Sequence, residues 1–127
     1  MNSLPPETQI SELFQSLSPL PRVQILQAIG EGEACVCHLE TALGLRQAYL
    51  SQHLMALRQA GVVVSRREGR NVFYRLADRD LLGLIQQAGR LLGLADAALQ
   101  ATDATHSLPA CPCPHCGEKE TAFTWPA

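Results

Sequence analysis

All five cysteines of this 127-residue chain fall in two short clusters. The first is EACVCHLE, Glu33–Glu40, with Cys35 and Cys37 one residue apart and His38 beside them. The second is ACPCPHCGE, Ala110–Glu118, which sets Cys111, Cys113 and Cys116 around the nitrogen of His115. Clustered thiolates are ligands for soft or thiophilic ions such as As(III), Cd, Pb, Cu(I) or Zn, in preference to magnesium or manganese. Neither cluster completes a site alone. Two sulfurs fall short of the three that arsenite takes and of the four around a tetrahedral ion. A zinc ribbon would need a second knuckle like Cys113-Pro-His-Cys116, and the tail has only one. The economical ligand set therefore joins Cys35 and Cys37 to Cys113 and Cys116, with Cys111 as the next choice, from the same chain or a partner subunit. No organic cofactor is implied.

Local geometry constrains the first cluster. Residues two apart in a regular helix diverge by about 200°, so Cys35 and Cys37 can share an ion only at a frayed first turn. A helix N-terminus also favours the thiolate, which is the actual ligand. Three alternatives stand beside this reading. Two cysteines on an apolar helix can be small buried hydrophobes, and the tail can be an independent zinc clip or an unfolded segment. The cysteines can also form a thiol-redox or persulfide switch. CPHC resembles a redox dipole too, but the βαβ context of a thiol oxidoreductase is missing, so no enzyme is expected.

The positioning elements can be read from periodicity. Ile10, Leu13, Phe14 and Leu17 mark a first helix, and Ser18-Pro19 looks like the cap and first residue of a second one carrying Val23, Ile25, Leu26 and Ile29. A short third helix is expected from about Cys35 to Leu43, closed by Gly44. A fourth, Arg46 to Ala60, has Leu50, Leu54 and Leu57 on one side and stops at Gly61. The β-branched and aromatic runs Val62–Arg67 and Asn71–Leu76 flank Glu68-Gly69-Arg70 as a hairpin. Asp78 or Asp80 caps a last helix running to about Leu99, whose Leu81, Leu84, Ile85, Ala88, Leu91 and Leu92 call for a partner subunit. The pattern divides the chain into a domain over 1–98 and a Cys-rich tail over 99–127. It is a mostly α fold with a small β-hairpin, a winged helix-turn-helix, dimeric.

The net charge of −2 hides a strong polarity. From Gly44 to Arg79 there are seven arginines against two acids, a local +5 that leaves −7 elsewhere. A basic face of this kind suits double-stranded DNA. Gln47, Ser51 and Gln52 on the fourth helix are the base-edge candidates, because amides and hydroxyls read groove edges. Arg46, Arg58, Arg66, Arg67 and Arg70 are expected to hold phosphates. His53 is expected to pack or to touch a phosphate. The start, MNSLPPETQI, shows no signal-peptide pattern, and no apolar run approaches the roughly 18 residues of a membrane span. A cytoplasmic protein with no membrane partner is expected, where thiols stay reduced.

These residues carry a resemblance. RQAYLSQHLMALRQAGVVVSRREGRNVFYRLAD, Arg46–Asp78, resembles the recognition helix and wing of the ArsR/SmtB family of metal-sensing repressors, and EACVCHLE resembles the ELCVCDL segment of its arsenic-, cadmium- and lead-responsive members. The likeness spans roughly Leu13 to Ala95. It implies a homodimer, joined through the first and last helices, that represses its operator without metal and leaves it when metal binds. The chain departs from that pattern in having Ala34 for Leu and His38 for Asp. It also lacks paired metal ligands on the last helix and any cysteine in the N-terminal arm.

Overall fold

The computed structural model describes residues 3–94. The boundary expected at 98/99 and the three tail cysteines lie outside the described residues. In chain order the elements are α1 (Pro6–Leu17), α2 (Leu20–Ile29), β1 (Ala34–Cys35), α3 (Val36–Leu43), α4 (Gln47–Gln59), β2 (Val63–Glu68), β3 (Asn71–Leu76) and α5 (Asp80–Leu91). Four helices, a wing and a last helix make the winged helix-turn-helix expected from the sequence.

The core forms where the apolar stripes of the helices meet. Ile25, Leu26 and Ile29 of α2, Leu39 of α3 and Leu50, Leu54 and Leu57 of α4 have no exposed surface, and Leu76 of β3 joins them. Each such side chain contributes roughly 1.5–3 kcal/mol of burial. The α4 stripe buries the three leucines that its spacing predicts. The helix ends in a Schellman turn: Gly61 N–H reaches the Arg58 carbonyl at 3.0 Å and Val62 N–H the Leu57 carbonyl at 2.9 Å. That turn needs the left-handed conformation Gly61 holds, at φ 77°, which costs glycine nothing.

Several boundaries differ from expectation. Pro19 rather than Ser18 precedes α2, since Ser18 still closes α1 in helical conformation. The last helix stops at Leu91 instead of continuing to Leu99. Gly93, at φ 77°, ends it in a second Schellman turn, with Leu94 N–H on the Gly89 carbonyl at 2.9 Å. Neither aspartate is the N-cap of α5, which is Arg79 without a side-chain cap bond; Asp78, one residue earlier, accepts the Asp80 N–H on its carboxylate at 2.9 Å.

The largest departure concerns the third helix, which begins at Val36 and not at Cys35. Ala34 and Cys35 are extended and form an edge strand, antiparallel to β3, so the hairpin becomes a three-stranded sheet in the order β1-β3-β2. Register sets two rows across it. Ala34, Tyr74 and Ser65 lie opposite one another, and so do Cys35, Phe73 and Arg66. Alternation sends the first row toward the main core and the second to the other face. Ala34 belongs to the main core, whereas Cys35 and Phe73 form a separate small cluster against which Cys37 packs.

Candidate functional site

The extended backbone at Cys35 solves the geometric problem that its sequence spacing poses. Cys35 sits at φ −82°, ψ 163° as the N-cap of α3, and its sulfur accepts the His38 N–H at 3.3 Å. Because Cys35 is not helical, its side chain need not diverge from that of Cys37. The two sulfurs lie 2.9 Å apart. Neither forms a disulfide among the described residues; Cys35 is buried and Cys37 half-buried. A helix N-terminus favours negative charge on a sulfur placed there. His38 is buried at 6% exposure, and the Thr41 hydroxyl donates to the Cys37 carbonyl at 3.0 Å. The pair thus presents two convergent soft donors, the donor set that a thiophilic ion needs in part. Among the described residues no group of three or more His, Cys, Asp or Glu side chains could hold a metal ion. Cys111, Cys113 and Cys116, expected to complete the set, are outside the described residues.

A short turn through Gly44 connects α3 to α4, with Arg46 as the N-cap of the longer helix. Arg46, Gln47, Gln52 and Arg58 are exposed along it, while Ser51 and His53 are half-buried. On the wing, Arg67 and Arg70 are exposed at the tip. Arg66, expected to hold a phosphate, has its guanidinium engaged within the protein. Its Nε and Nη2 donate to the two carboxylate oxygens of Glu33, and Nη1 donates to Glu68, each at 2.7 Å. The same group lies 4.6 Å from the centre of the Phe73 ring. Glu33 first and Glu68 second hold that guanidinium further toward its charged form.

Four participants were not singled out by sequence. Arg22 of α2 donates from Nε to His53 Nδ1 at 3.1 Å and from Nη1 to the Ser16 carbonyl at 3.1 Å. Tyr49 meets the His53 ring edge-on, with centroids 4.7 Å apart, and remains 45% exposed on α4. Glu33 and Phe73 are the partners of Arg66. The hairpin register across Gly69-Arg70 could have paired Arg66 with Phe73. A two-residue strand leaves no periodicity from which to place Glu33 or Cys35.

The pattern described as "Bacterial regulatory protein, arsR family" matches residues 21–65, from α2 through α4 into the wing. A transcriptional repressor SmtB homolog from Synechocystis is 34% identical over 94 residues, covering 74% of this chain and 71% of that protein. This chain belongs to the ArsR family. An arsenic resistance transcriptional regulator of Pseudomonas putida is 45% identical to this ArsR-family chain over 65 residues, covering 50% of this chain and 51% of that one. A homodimeric winged helix-turn-helix DNA-binding domain from Mycobacterium bovis superposes with a TM-score of 0.62 at 28% identity, over 73% of this chain and 91% of that one. The ArsR-family chain is accordingly a DNA-binding transcriptional regulator and not an enzyme. Among its described residues no helix is long and apolar enough to cross a membrane.

Proposed function

We propose that this protein is a repressor that binds operator DNA as a metal-free homodimer and leaves it when a thiophilic ion is captured by its cysteines. The observation that carries the reading is the 2.9 Å approach of the Cys35 and Cys37 sulfurs at the start of α3. That helix leads by a short turn into α4, so an ion drawing the two sulfurs toward further ligands rotates the recognition helix with it. Cys113 and Cys116, with Cys111 next, supply the remaining thiolates, for As(III), Cd, Pb or Zn. The arsenic resistance relative supports a thiophilic inducer.

Gln47, Ser51 and Gln52 read base edges, and Arg46, Arg58, Arg67 and Arg70 hold phosphates. The dimer forms through α1 and α5. Ile10 and Phe14 on α1 are 52% and 53% exposed, and Leu91 and Leu92 at the end of α5 are 80% and 77% exposed, more apolar surface than a monomer leaves uncovered. By linkage, ion and DNA weaken each other's binding by the same factor.

The test is a titration of the reduced, metal-free protein with arsenite, cadmium and zinc while its binding to its own promoter DNA is followed. Release by a thiophilic ion, abolished by Cys35→Ser with Cys37→Ser, is the expected result. Persistent binding through every ion refutes it. The sulfur proximity also favours a second reading, a thiol-redox or persulfide switch, in which oxidant releases the DNA with no metal present.

A further inference from the structure

Arg66 lies on the basic wing with its side chain 46% exposed, and its guanidinium is laid over the sheet, engaged by a ring and two carboxylates. It stands directly across from Phe73, which stands directly across from Cys35, so one row crosses all three strands. Phe73 is 4% exposed and packs with Cys35 and Cys37, and the guanidinium covers its ring at 4.6 Å. Glu33, two residues before Cys35, closes the row by gripping Arg66 through both carboxylate oxygens, at 17% side-chain exposure. Its third nitrogen, Nη1, donates to Glu68, next to the tip formed by Gly69 and Arg70. The two-toothed carboxylate grip needs a planar guanidinium: a lysine ammonium can still lie over an aromatic ring, but it cannot engage both carboxylate oxygens in that fork.

We infer that Arg66 is a positioning residue that couples the Cys35–Cys37 pair to the wing, through Phe73 on one side and Glu33 on the other. This rests on the ion-responsive reading above. Drawing Cys35 toward an ion moves β1, and with it both surfaces on which the guanidinium is seated: the Phe73 ring opposite Cys35 and the Glu33 carboxylate two residues upstream. Arg66 is fixed to Glu68 at its far end, so the displacement reaches the tip that carries Arg67 and Arg70. The wing changes attitude together with α4, and the ion acts on both halves of the DNA-binding surface.

The experiment uses the full-length protein and three variants, Arg66→Lys, Arg66→Gln and Glu33→Gln. Cadmium binding is followed by thiolate-to-metal charge-transfer absorbance, operator affinity is measured with and without cadmium, and amide exchange is measured over residues 64–72. The expected result is an unchanged charge-transfer band and metal-free operator affinity within about twofold of wild type, while the cadmium-induced loss of affinity shrinks by about fivefold or more in all three. Arg66→Lys is the decisive variant. Were Arg66 a phosphate contact, lysine would preserve both binding and release, and Arg66→Gln would lower metal-free affinity and reduce the salt slope by about one. That outcome overturns the inference. The exchange readout separates the two claims. Cadmium altering wing exchange in wild type but not in Glu33→Gln supports the row even if no DNA is released, in which case the release reading alone fails. Equal changes in both proteins, or no change in wild type, overturn the row.

Discussion

Arg22 of α2 donates to Nδ1 of His53 on α4 at 3.1 Å, and the same guanidinium reaches the Ser16 carbonyl at the end of α1. The middle of α4 is thus tied to α2 directly, and through the same guanidinium to the end of α1, as well as through the core. The bond requires Nδ1 to be an acceptor, so the imidazole is neutral with its proton on Nε2.

Acid should loosen this tie. Burial first, and the charge of Arg22 second, hold His53 below the ordinary imidazole value of about 6.5. The folded protein therefore binds that proton less readily than the unfolded chain. The contribution of His53 to stability is complete above pH ~6.5 and is lost as pH falls through the lower folded value. Urea midpoints measured between pH 8 and pH 5 should fall on acidification. The fall should be smaller in His53→Gln, which keeps an acceptor and does not titrate. Identical pH profiles would remove His53 from the account.

Cys35 caps α3 through its sulfur, and this separates two substitutions usually treated as equivalent. Serine keeps an acceptor for the His38 N–H and alanine does not, so Cys35→Ala should be less stable than Cys35→Ser by about 0.5–2 kcal/mol. Chemical denaturation of both variants measures this. Each should retain operator binding and lose ion-induced release. An unfolded Cys35→Ser protein would favour the buried-hydrophobe alternative.

At the wing tip, Arg70 is exposed and sits on the hairpin loop. Arg70→Ala should weaken binding to operator and to unrelated DNA alike, and the slope of log affinity against log salt should shrink by about one. An unaltered slope would take Arg70 out of the phosphate set.

On the dimer face, Phe14→Glu with Leu91→Glu should yield a folded monomer by sedimentation, because both side chains lie more than half exposed, outside the core. Operator affinity should fall by about tenfold or more, since a single half-site gives up one set of phosphate contacts. A persistent dimer would move the interface elsewhere.

Periodicity made most of the fold legible. The leucines of α4, the Gly44 and Gly61 stops and the hairpin around Gly69 all follow from local rules that tertiary packing did not override. The site was legible only in part. The pairing of Cys35 with Cys37 was readable as chemistry, but a helical Cys35 would have held the sulfurs apart. Tertiary pairing with β3 made that residue extended, and a strand of two residues has no alternation to announce it. Arg66 illustrates the complementary failure. Charge counting ranks all the wing arginines together, whereas only the register across three strands shows that this one faces an aromatic ring and a carboxylate.

The Gly61 turn has a consequence for operator choice. Val62 is bonded at once to the last turn of α4, through the Leu57 carbonyl, and to the strand leaving the wing, through the Ala77 N–H at 2.9 Å. One residue is therefore the splice between helix and wing, with no slack to change the distance between them. On the proposed reading, the protein measures DNA with a fixed ruler whose marks are the groove bases and the flanking phosphates. Substitutions at Gln47, Ser51 or Gln52 can re-letter a binding site, but they cannot re-space it.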